Sequence, residues 1–372
     1  MPKILVFTQA LDFYSTQLLD GLVTRGYQVV VVVSPRQKDD LTKNNCSLSI
    51  VAEVHLGGRL DRHAATRYAQ LIIEHQPDLC LCYTSRALSV ALKARRNNHL
   101  KLPIIGTRGA VGGLSCWYIQ DWFSYLNPSL DCVVCFSDAI RLRIQNEARR
   151  LWPSHPGKFI TIYQGYSSLL STAHRRNHGD RENSDQKVIS TIANERPIKG
   201  MTVLLDALEF HVKDLNWKLV WIGKVEKKTQ DRIAQSPRLR ERVICTGFRN
   251  DARELIAQSD IYVQPTLAPG EGIGNAIAEA MAAELPVVTS NVGGALELVA
   301  SVSPQLLFES GDPKSLGAVL EKLLGNASLC EKLGRAGGEV LSSKFGLEDE
   351  IKKYIQLFEI YGLKNPQNRM EA

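Results

Sequence analysis

The chain has 372 residues, 44% of them hydrophobic and 23% charged, the balance of a globular protein long enough for two domains. Its net charge of +6 is uneven: residues 1–186 hold 22 Lys/Arg against 15 Asp/Glu, a surplus of +7, which leaves the remainder at −1. No apolar stretch reaches the roughly 18–20 residues of a spanning helix, the start lacks a small-residue cleavage site, and no nucleic-acid motif accompanies the basic surplus; that surplus is either a solvated face or an attractant for anionic lipid or a phosphorylated acceptor.

In chain order, Lys3–Phe7 predicts a strand, Tyr14–Arg25 an amphipathic helix and Gln28–Val33 a second strand. This is the βαβ signature of a parallel sheet, whose neighbouring strands need a crossover. The series continues with a helix near Asp61–His75, a strand at Leu79–Tyr83, a helix at Arg86–Arg95, and strands at Pro103–Thr107 and Cys132–Phe136. Residues 1–170 are therefore expected to form one Rossmann-like domain. In FSDAIRLRIQ, Ser137 or Asp138 reads as a helix cap that needs no ligand.

Six of the eight cysteines, Cys80, Cys82, Cys116, Cys132, Cys135 and Cys245, stand in apolar, strand-like surroundings and read as buried thiols of a reducing cytoplasm. Cys132 and Cys135 form a CxxC, but three apart on a strand they point to opposite faces, which disfavours metal or redox use. His55 and His63 flank GGRLDR and read as structural or as cleft-lining residues. Trp117, Trp122 and Tyr125 read as packing residues of a loop over the cleft, or as a platform for a sugar ring.

The polar run STAHRRNHGDRENSD cannot bury enough surface to order itself, so residues 171–186 are expected to be the linker. A second series, residues 187–345, follows: strands at Lys187–Ala193, Lys218–Ile222, Val243–Thr246, Ile261–Gln264 and Pro286–Thr289, with helices at Met201–Glu209, Ala252–Ala257 and around Asn275–Ala283. The expected architecture is α/β, two Rossmann-like domains facing each other across a cleft, with ligand beyond the carboxyl ends of the strands.

The chemistry concentrates in that second domain. A turn with Gly270, Gly272 and Gly274 opens a helix at Asn275, an arrangement that admits close backbone approach and favours an anion. Glu271 and Glu279 bracket it; Glu279, about one turn into the helix, can accept from a ribose diol. In NERPIKG, Arg196 and Lys199 can both reach a diphosphate. VWIGKVE ends at Gly223 and ICTGFRND carries Gly247 and Phe248, loops aimed at the same place.

From about Lys187 to about Leu324 the sequence resembles the retaining glycosyltransferases of family 4, with GT-B architecture. The segments that carry the likeness are ERPIKGMTVLLDAL, KLVWIGK, VICTGFRNDARELIAQSDIYVQP, EGIGNAIAEAMAAELPVVTSNVGGALELV and GDPKSLGAVLEKLL. The resemblance implies that Arg196 and Lys199 bind the donor diphosphate, that Glu279 holds the ribose, and that Glu271 with Gly272, Ile273, Gly274 and Asn275 contacts donor sugar and phosphate. It places Gly223 and Phe248 among the donor contacts, matches Glu297 to the acid closing GG-x-x-E, and implies that residues 346–372 form a helix returning to the first domain. The first half departs from the family: it lacks the Gly-Gly near the first loop, and Thr107, Arg108 and Gly109 stand where a His-Asp pair is common. Arg108 is read as a catalytic-side contact to donor phosphate or an anionic acceptor, or else as a loop arginine satisfied in place.

The expected reaction is transfer from an NDP-sugar to a hydroxyl of a saccharide or lipid-linked saccharide with retention of configuration, in envelope glycan synthesis. No cofactor is expected, and with no Asp-x-Asp in the chain no metal site either; cations and a helix dipole would serve the leaving group. The expected setting is the cytoplasm, with peripheral contact to the anionic inner membrane and no nucleic-acid partner. Alternatives are a non-catalytic relative acting as a scaffold and an NDP-sugar 2-epimerase-like enzyme. A dinucleotide dehydrogenase is disfavoured because TQALDFY lacks the glycines its first turn needs.

Overall fold

The computed structural model describes residues 1–9, 11–34, 48–154, 157–167, 186–212 and 215–366, with Val51 as backbone only. The linker expected at 171–186 lies outside the described residues except for Gln186, as does Cys46. The chain divides into two units, Met1–Gly165 with Leu347–Ala372, and Tyr166–Gly346. Each is a parallel α/β, Rossmann-like domain.

In the first unit the strands are β1 (Lys3–Phe7), β2 (Gln28–Val33), β3 (Ser49–Glu53), β4 (Leu79–Cys82), β5 (Ile104–Arg108), β6 (Cys132–Cys135) and β7 (Lys158–Thr161), in the order β3-β2-β1-β4-β5-β6-β7. Every pairing is parallel. Strand residues divide by the period of two. Leu5, Phe7, Val30, Val32, Cys80, Cys82 and Cys135 enter one apolar cluster, whereas Ile4, Val6, Val29, Val31, Leu79 and Cys132 enter the other. The two cysteines of the CxxC thus sit on opposite faces of β6, and burial raises both thiols to about 12, which keeps them protonated.

Helices Arg62–His75, Ser85–Asn97 and Asp138–Leu151 cover the first face, each capped by an oxygen that takes a backbone N–H: Asp61 from Ala64, Thr84 from Ala87, Ser137 from Ile140. Helix Phe13–Thr24 covers the second, joined by Leu347–Ile360 from the far end of the sequence. Ile351, Tyr354, Leu357 and Phe358 recur at helical spacing and pack into the cluster with Leu18, Leu19 and Leu22. At about 1.5–3 kcal/mol per buried large apolar side chain, this helix supplies several kcal/mol to the unit. Its Glu350, 3% exposed, accepts the Gly165 backbone N–H at 2.8 Å.

The second unit has β8 (Lys187–Ile192), β9 (Trp217–Ile222), β10 (Val243–Gly247), β11 (Ile261–Gln264), β12 (Val287–Ser290) and β13 (Leu307–Phe308), in the order β10-β9-β8-β11-β12-β13. The helix expected at Met201–Glu209 is α-helical over Met201–Asp206 and widens into a π turn over Ala207–His211. Cys245 departs from its expected burial. It lies on the edge strand β10, where no further strand covers it, and is exposed. Cys116 is buried, but in a loop. No helix among the described residues is long and apolar enough to cross a membrane.

Candidate functional site

A pocket of about 160 Å³ opens in the second unit at the carboxyl ends of β8 and β11, lined by Ile192, Lys199, Gln264, Thr266, residues 271–277, Val292 and Ala295. Two glycine-bearing loops build it by packing backbone against backbone. Gly270 has φ 86° and Gly293 φ 67°, conformations that favour glycine; a Cβ on Gly270 would fall 2.6 Å from the Gly293 Cα, and one on Gly293 2.5 Å from the Glu271 carbonyl oxygen. The Gly294 N–H then donates to that oxygen at 2.9 Å, fixing the Glu271 backbone. Helix Asn275–Ala282 starts from Gly274 with no side-chain cap, so the positive end of its dipole opens on the pocket.

The NERPIKG segment is laced to the same wall. Its single turn Pro197–Lys199 ends at Gly200, φ 63°, where a Cβ would meet the Pro265 carbonyl at 1.8 Å, and the Leu267 N–H donates to the Ile198 oxygen at 2.8 Å. Lys199 Nζ therefore reaches Glu271 Oε2 at 2.6 Å, both side chains partly buried, while Arg196 Nη2 stands 3.8 Å from Glu271 Oε1 with 63% of its side chain exposed. An exposed pair at that distance is worth about 1 kcal/mol at most. Arg196 is thus free to turn to another anion, whereas Lys199 holds Glu271 at hydrogen-bonding distance.

Glu271 is also the terminus of a polar row that sequence reasoning missed. The Ile192 N–H donates to the Tyr262 hydroxyl at 3.4 Å, which donates to Gln264 Oε1 at 2.8 Å; Gln264 Nε2 donates to Thr266 Oγ1 at 3.1 Å, and Thr266 to Glu271 Oε2 at 3.4 Å. Each hydroxyl both accepts and donates, so the row has one polarity, from backbone to carboxylate. Tyr262, Gln264 and Thr266 are all buried, and burial raises the Tyr262 hydroxyl well above its ordinary value. The available signal was Y-x-Q-x-T, alternate polar positions at the end of an otherwise apolar strand.

The remaining residues fall outside the pocket lining. Glu279 is on the second turn of its helix, 13% exposed, and accepts from Arg253 Nε at 2.9 Å. Arg253, on helix Ala252–Ala257, lies in the VICTGFRNDARELIAQSDIYVQP stretch and has no spacing in the sequence that points to Glu279. Gly223, φ 131°, closes against the Ala193 carbonyl and donates its N–H to the Gly247 oxygen at 2.9 Å, joining the ends of β8, β9 and β10. Phe248 is 81% exposed beyond β10, and Glu297 is half-buried on helix Gly293–Ala300.

In the first unit, Arg108 ends β5. Its Nη2 donates to the Gly112 carbonyl at 2.5 Å, and its guanidinium lies 4.9 Å above the ring of buried Tyr125. These two contacts hold the guanidinium on two sides and leave its Nε buried without a hydrogen-bond partner. His55 and His63 are exposed. Of the three aromatics read as packing residues, Tyr125 is buried and donates to the Thr107 oxygen at 2.9 Å, but Trp117 and Trp122 are exposed.

Residues 186–326 match the family described as Glycosyl transferases group 1. The capsular polysaccharide biosynthesis glycosyltransferase CapM of Staphylococcus aureus is 32% identical over 44% of this chain and 43% of its own length. The N-acetyl-alpha-D-glucosaminyl L-malate synthase of Bacillus anthracis is 26% identical over 62% of this chain and 63% of its own. The aligned part spans less than two thirds of these relatives. Among solved structures, a glycosyltransferase from Rickettsia africae aligns with a TM-score of 0.77 at 15% identity, covering 97% of this chain and 98% of that one. Anabaena HepE in complex with UDP gives 0.75 at 20%, covering 96% and 99%. The structural likeness is one of fold, the GT-B architecture of two Rossmann-like domains. Together with the match over residues 186–326, it supports placing the chain in the glycosyltransferase superfamily.

Proposed function

We propose that the chain is a retaining glycosyltransferase of family 4 that moves a sugar from an NDP-sugar to a hydroxyl of a saccharide or lipid-linked saccharide, in envelope glycan synthesis at the cytoplasmic face of the membrane. The observation that carries this reading is Lys199 at 2.6 Å from Glu271, beside the open N-terminus of helix Asn275–Ala282. Separating a nucleoside diphosphate from an oxocarbenium-like sugar builds negative charge on the leaving oxygens, and fixed positive charge there lowers the barrier most. Lys199, Arg196 and the helix N-terminus supply it without a metal. Glu271, held by Lys199 and Thr266, faces the sugar. Glu279, steadied by Arg253, takes the ribose hydroxyls, with Gly223 and Phe248 bordering the base. Arg108 serves the acceptor side. Departing phosphate then helps deprotonate the acceptor on the same face, which keeps the configuration. The name of the Staphylococcus aureus relative, in capsular polysaccharide biosynthesis, supports the envelope setting, and the Anabaena neighbour solved with UDP supports a nucleotide-linked donor.

The test is a thermal-shift screen with UDP, GDP, ADP and their sugar conjugates. A nucleotide at a hundred times its Kd adds about 2.7 kcal/mol, or roughly 5–10 °C for a domain of this size. One nucleotide should produce that shift, and Arg196→Ala and Glu279→Ala should each lose it. No shift with any of them would sink the donor site and favour a scaffold.

A further inference from the structure

Strand β11 and the residues that follow it carry buried polar side chains at alternate positions, Tyr262, Gln264 and Thr266, between apolar Ile261, Val263 and Pro265. Packing alone does not call for them, because apolar side chains of the same shape can replace a hydrogen-bonded pair at little loss. What the three share is direction. Gln264, Thr266 and Glu271 all line the pocket, together with Ile192, whose backbone N–H starts the row.

The member of the row that could break its direction is the amide in the middle. Gln264 can offer either end to either neighbour. With Nε2 turned to Tyr262, its Oε1 would face Thr266 and draw the Thr266 hydrogen away from Glu271. The Tyr262 hydroxyl decides between the two arrangements. Its oxygen accepts the Ile192 N–H at 3.4 Å, which leaves its hydrogen to donate, and Gln264 Oε1 at 2.8 Å takes it. Nε2 is thereby turned to the Thr266 oxygen at 3.1 Å, and the Thr266 hydrogen goes to Glu271 Oε2 at 3.4 Å. Lys199 donates to the same Oε2 at 2.6 Å, so one oxygen of the carboxylate is held and Oε1 is left with Arg196 at 3.8 Å.

We infer that Tyr262 is a positioning residue for Glu271, acting through the orientation of the Gln264 amide. Tyr262 is wholly buried and stands two side chains away from the carboxylate, so it acts on a bound substrate only through the row. Burial also raises its hydroxyl above the ordinary tyrosine value, which keeps it a donor through neutral and mildly alkaline pH. A carboxylate fixed before the substrate arrives has no reorganisation left to undergo as charge develops beside it. The effect on turnover rests on the proposed function, in which Glu271 faces the donor sugar; the relay from Tyr262 to Glu271 stands on the contacts alone.

The experiment is a double-substitution cycle on the full chain: Tyr262→Phe, Thr266→Val and both together. It is read in unfolding by denaturant and in release of nucleoside diphosphate from UDP-glucose, GDP-mannose and ADP-glucose, with water as the acceptor. Tyr262→Phe should lower kcat roughly three- to tenfold, the scale of one hydrogen bond, at nearly constant KM. Once Thr266 is replaced, the same change should cost nothing further, whereas independent losses would multiply to about 30- to 100-fold. In unfolding, the double variant should likewise be less destabilised than the two single losses added. Gln264→Glu supplies a readout that packing alone would not move, and it serves also if Tyr262→Phe does not fold. A protonated carboxyl can donate to Thr266 as the amide does; an ionised one only accepts, and takes the Thr266 hydrogen from Glu271. Relative to wild type, kcat of this variant should therefore fall as pH rises. Multiplying losses, or a Gln264→Glu profile parallel to wild type, would overturn the relay and leave the donor site standing. If a nucleotide shifts the wild-type melting but water is not used as acceptor, additive destabilisation in the cycle overturns it equally. A wild type with neither a thermal shift nor turnover would sink the donor reading, and the role in turnover with it.

Discussion

Replacing Glu350 by Gln should stabilise the first unit at alkaline pH and leave it nearly unchanged at acid pH. Burial on the inner face of helix Leu347–Ile360 raises the Glu350 carboxyl from an ordinary 4.5 to about 8, reinforced by Asp12 and relieved only in part by the Gly165 N–H. With the folded pKa above the unfolded one, the native state binds the extra proton between those values. Stability from this group is therefore full below about pH 4.5, falls as pH rises through 8, and is flat beyond it. A difference of roughly 3.5 units at about 1.36 kcal/mol each sets a ceiling near 5 kcal/mol on what ionised Glu350 costs at high pH. Gln keeps an oxygen for the Gly165 N–H and never ionises. The assay is unfolding of wild type and Glu350→Gln by denaturant at intervals from pH 5 to 9.5. The two curves should coincide near pH 5 and diverge progressively, with the variant higher. Parallel curves would show that Glu350 does not titrate in this window and would refute the reasoning.

Lys199→Ala should lower kcat/KM by about 10²–10³, the scale for removing one preorganised charge from a leaving group, and Lys199→Arg should restore little because the 2.6 Å contact to Glu271 suits a compact ammonium; both are read in steady-state glycosyl transfer. Thr266→Val cuts the polar row next to Glu271, so kcat should fall roughly tenfold with KM nearly constant, while Thr266→Ser should recover it. Gly200→Ala should destabilise the second unit by more than about 1 kcal/mol and weaken nucleotide binding together, seen by melting with and without nucleotide, since its Cβ would meet the Pro265 carbonyl.

The strands were legible where they were buried. β1, β2 and β11 fall where their β-branched runs placed them because a central parallel strand is apolar on both faces. The strands that escaped are edges: β3, β7 and two-residue β13 have too few apolar positions to stand out. In the site, the types and loops of Arg196, Lys199 and Glu271 could be read, but not that Lys199 grips Glu271, because that distance is set by how Gly200 seats on Pro265, a contact 65 residues apart in sequence. The Arg253 contact to Glu279 escaped for the same reason. Trp117 was read as packing because a tryptophan is ordinarily covered, and nothing in CWYIQDW itself says which rings face out.

The helix Leu347–Ile360 completes the first unit although it follows the second in sequence. On the ribosome, residues 166–346 form a contiguous stretch that can fold as it emerges, yet the face bearing Leu18, Leu22 and Val31 must wait for residues synthesised more than 300 positions later. A product truncated at residue 346 keeps every residue of the second unit but leaves the first with an uncovered apolar flank, a surface for holdases to bind and quality-control proteases to grasp.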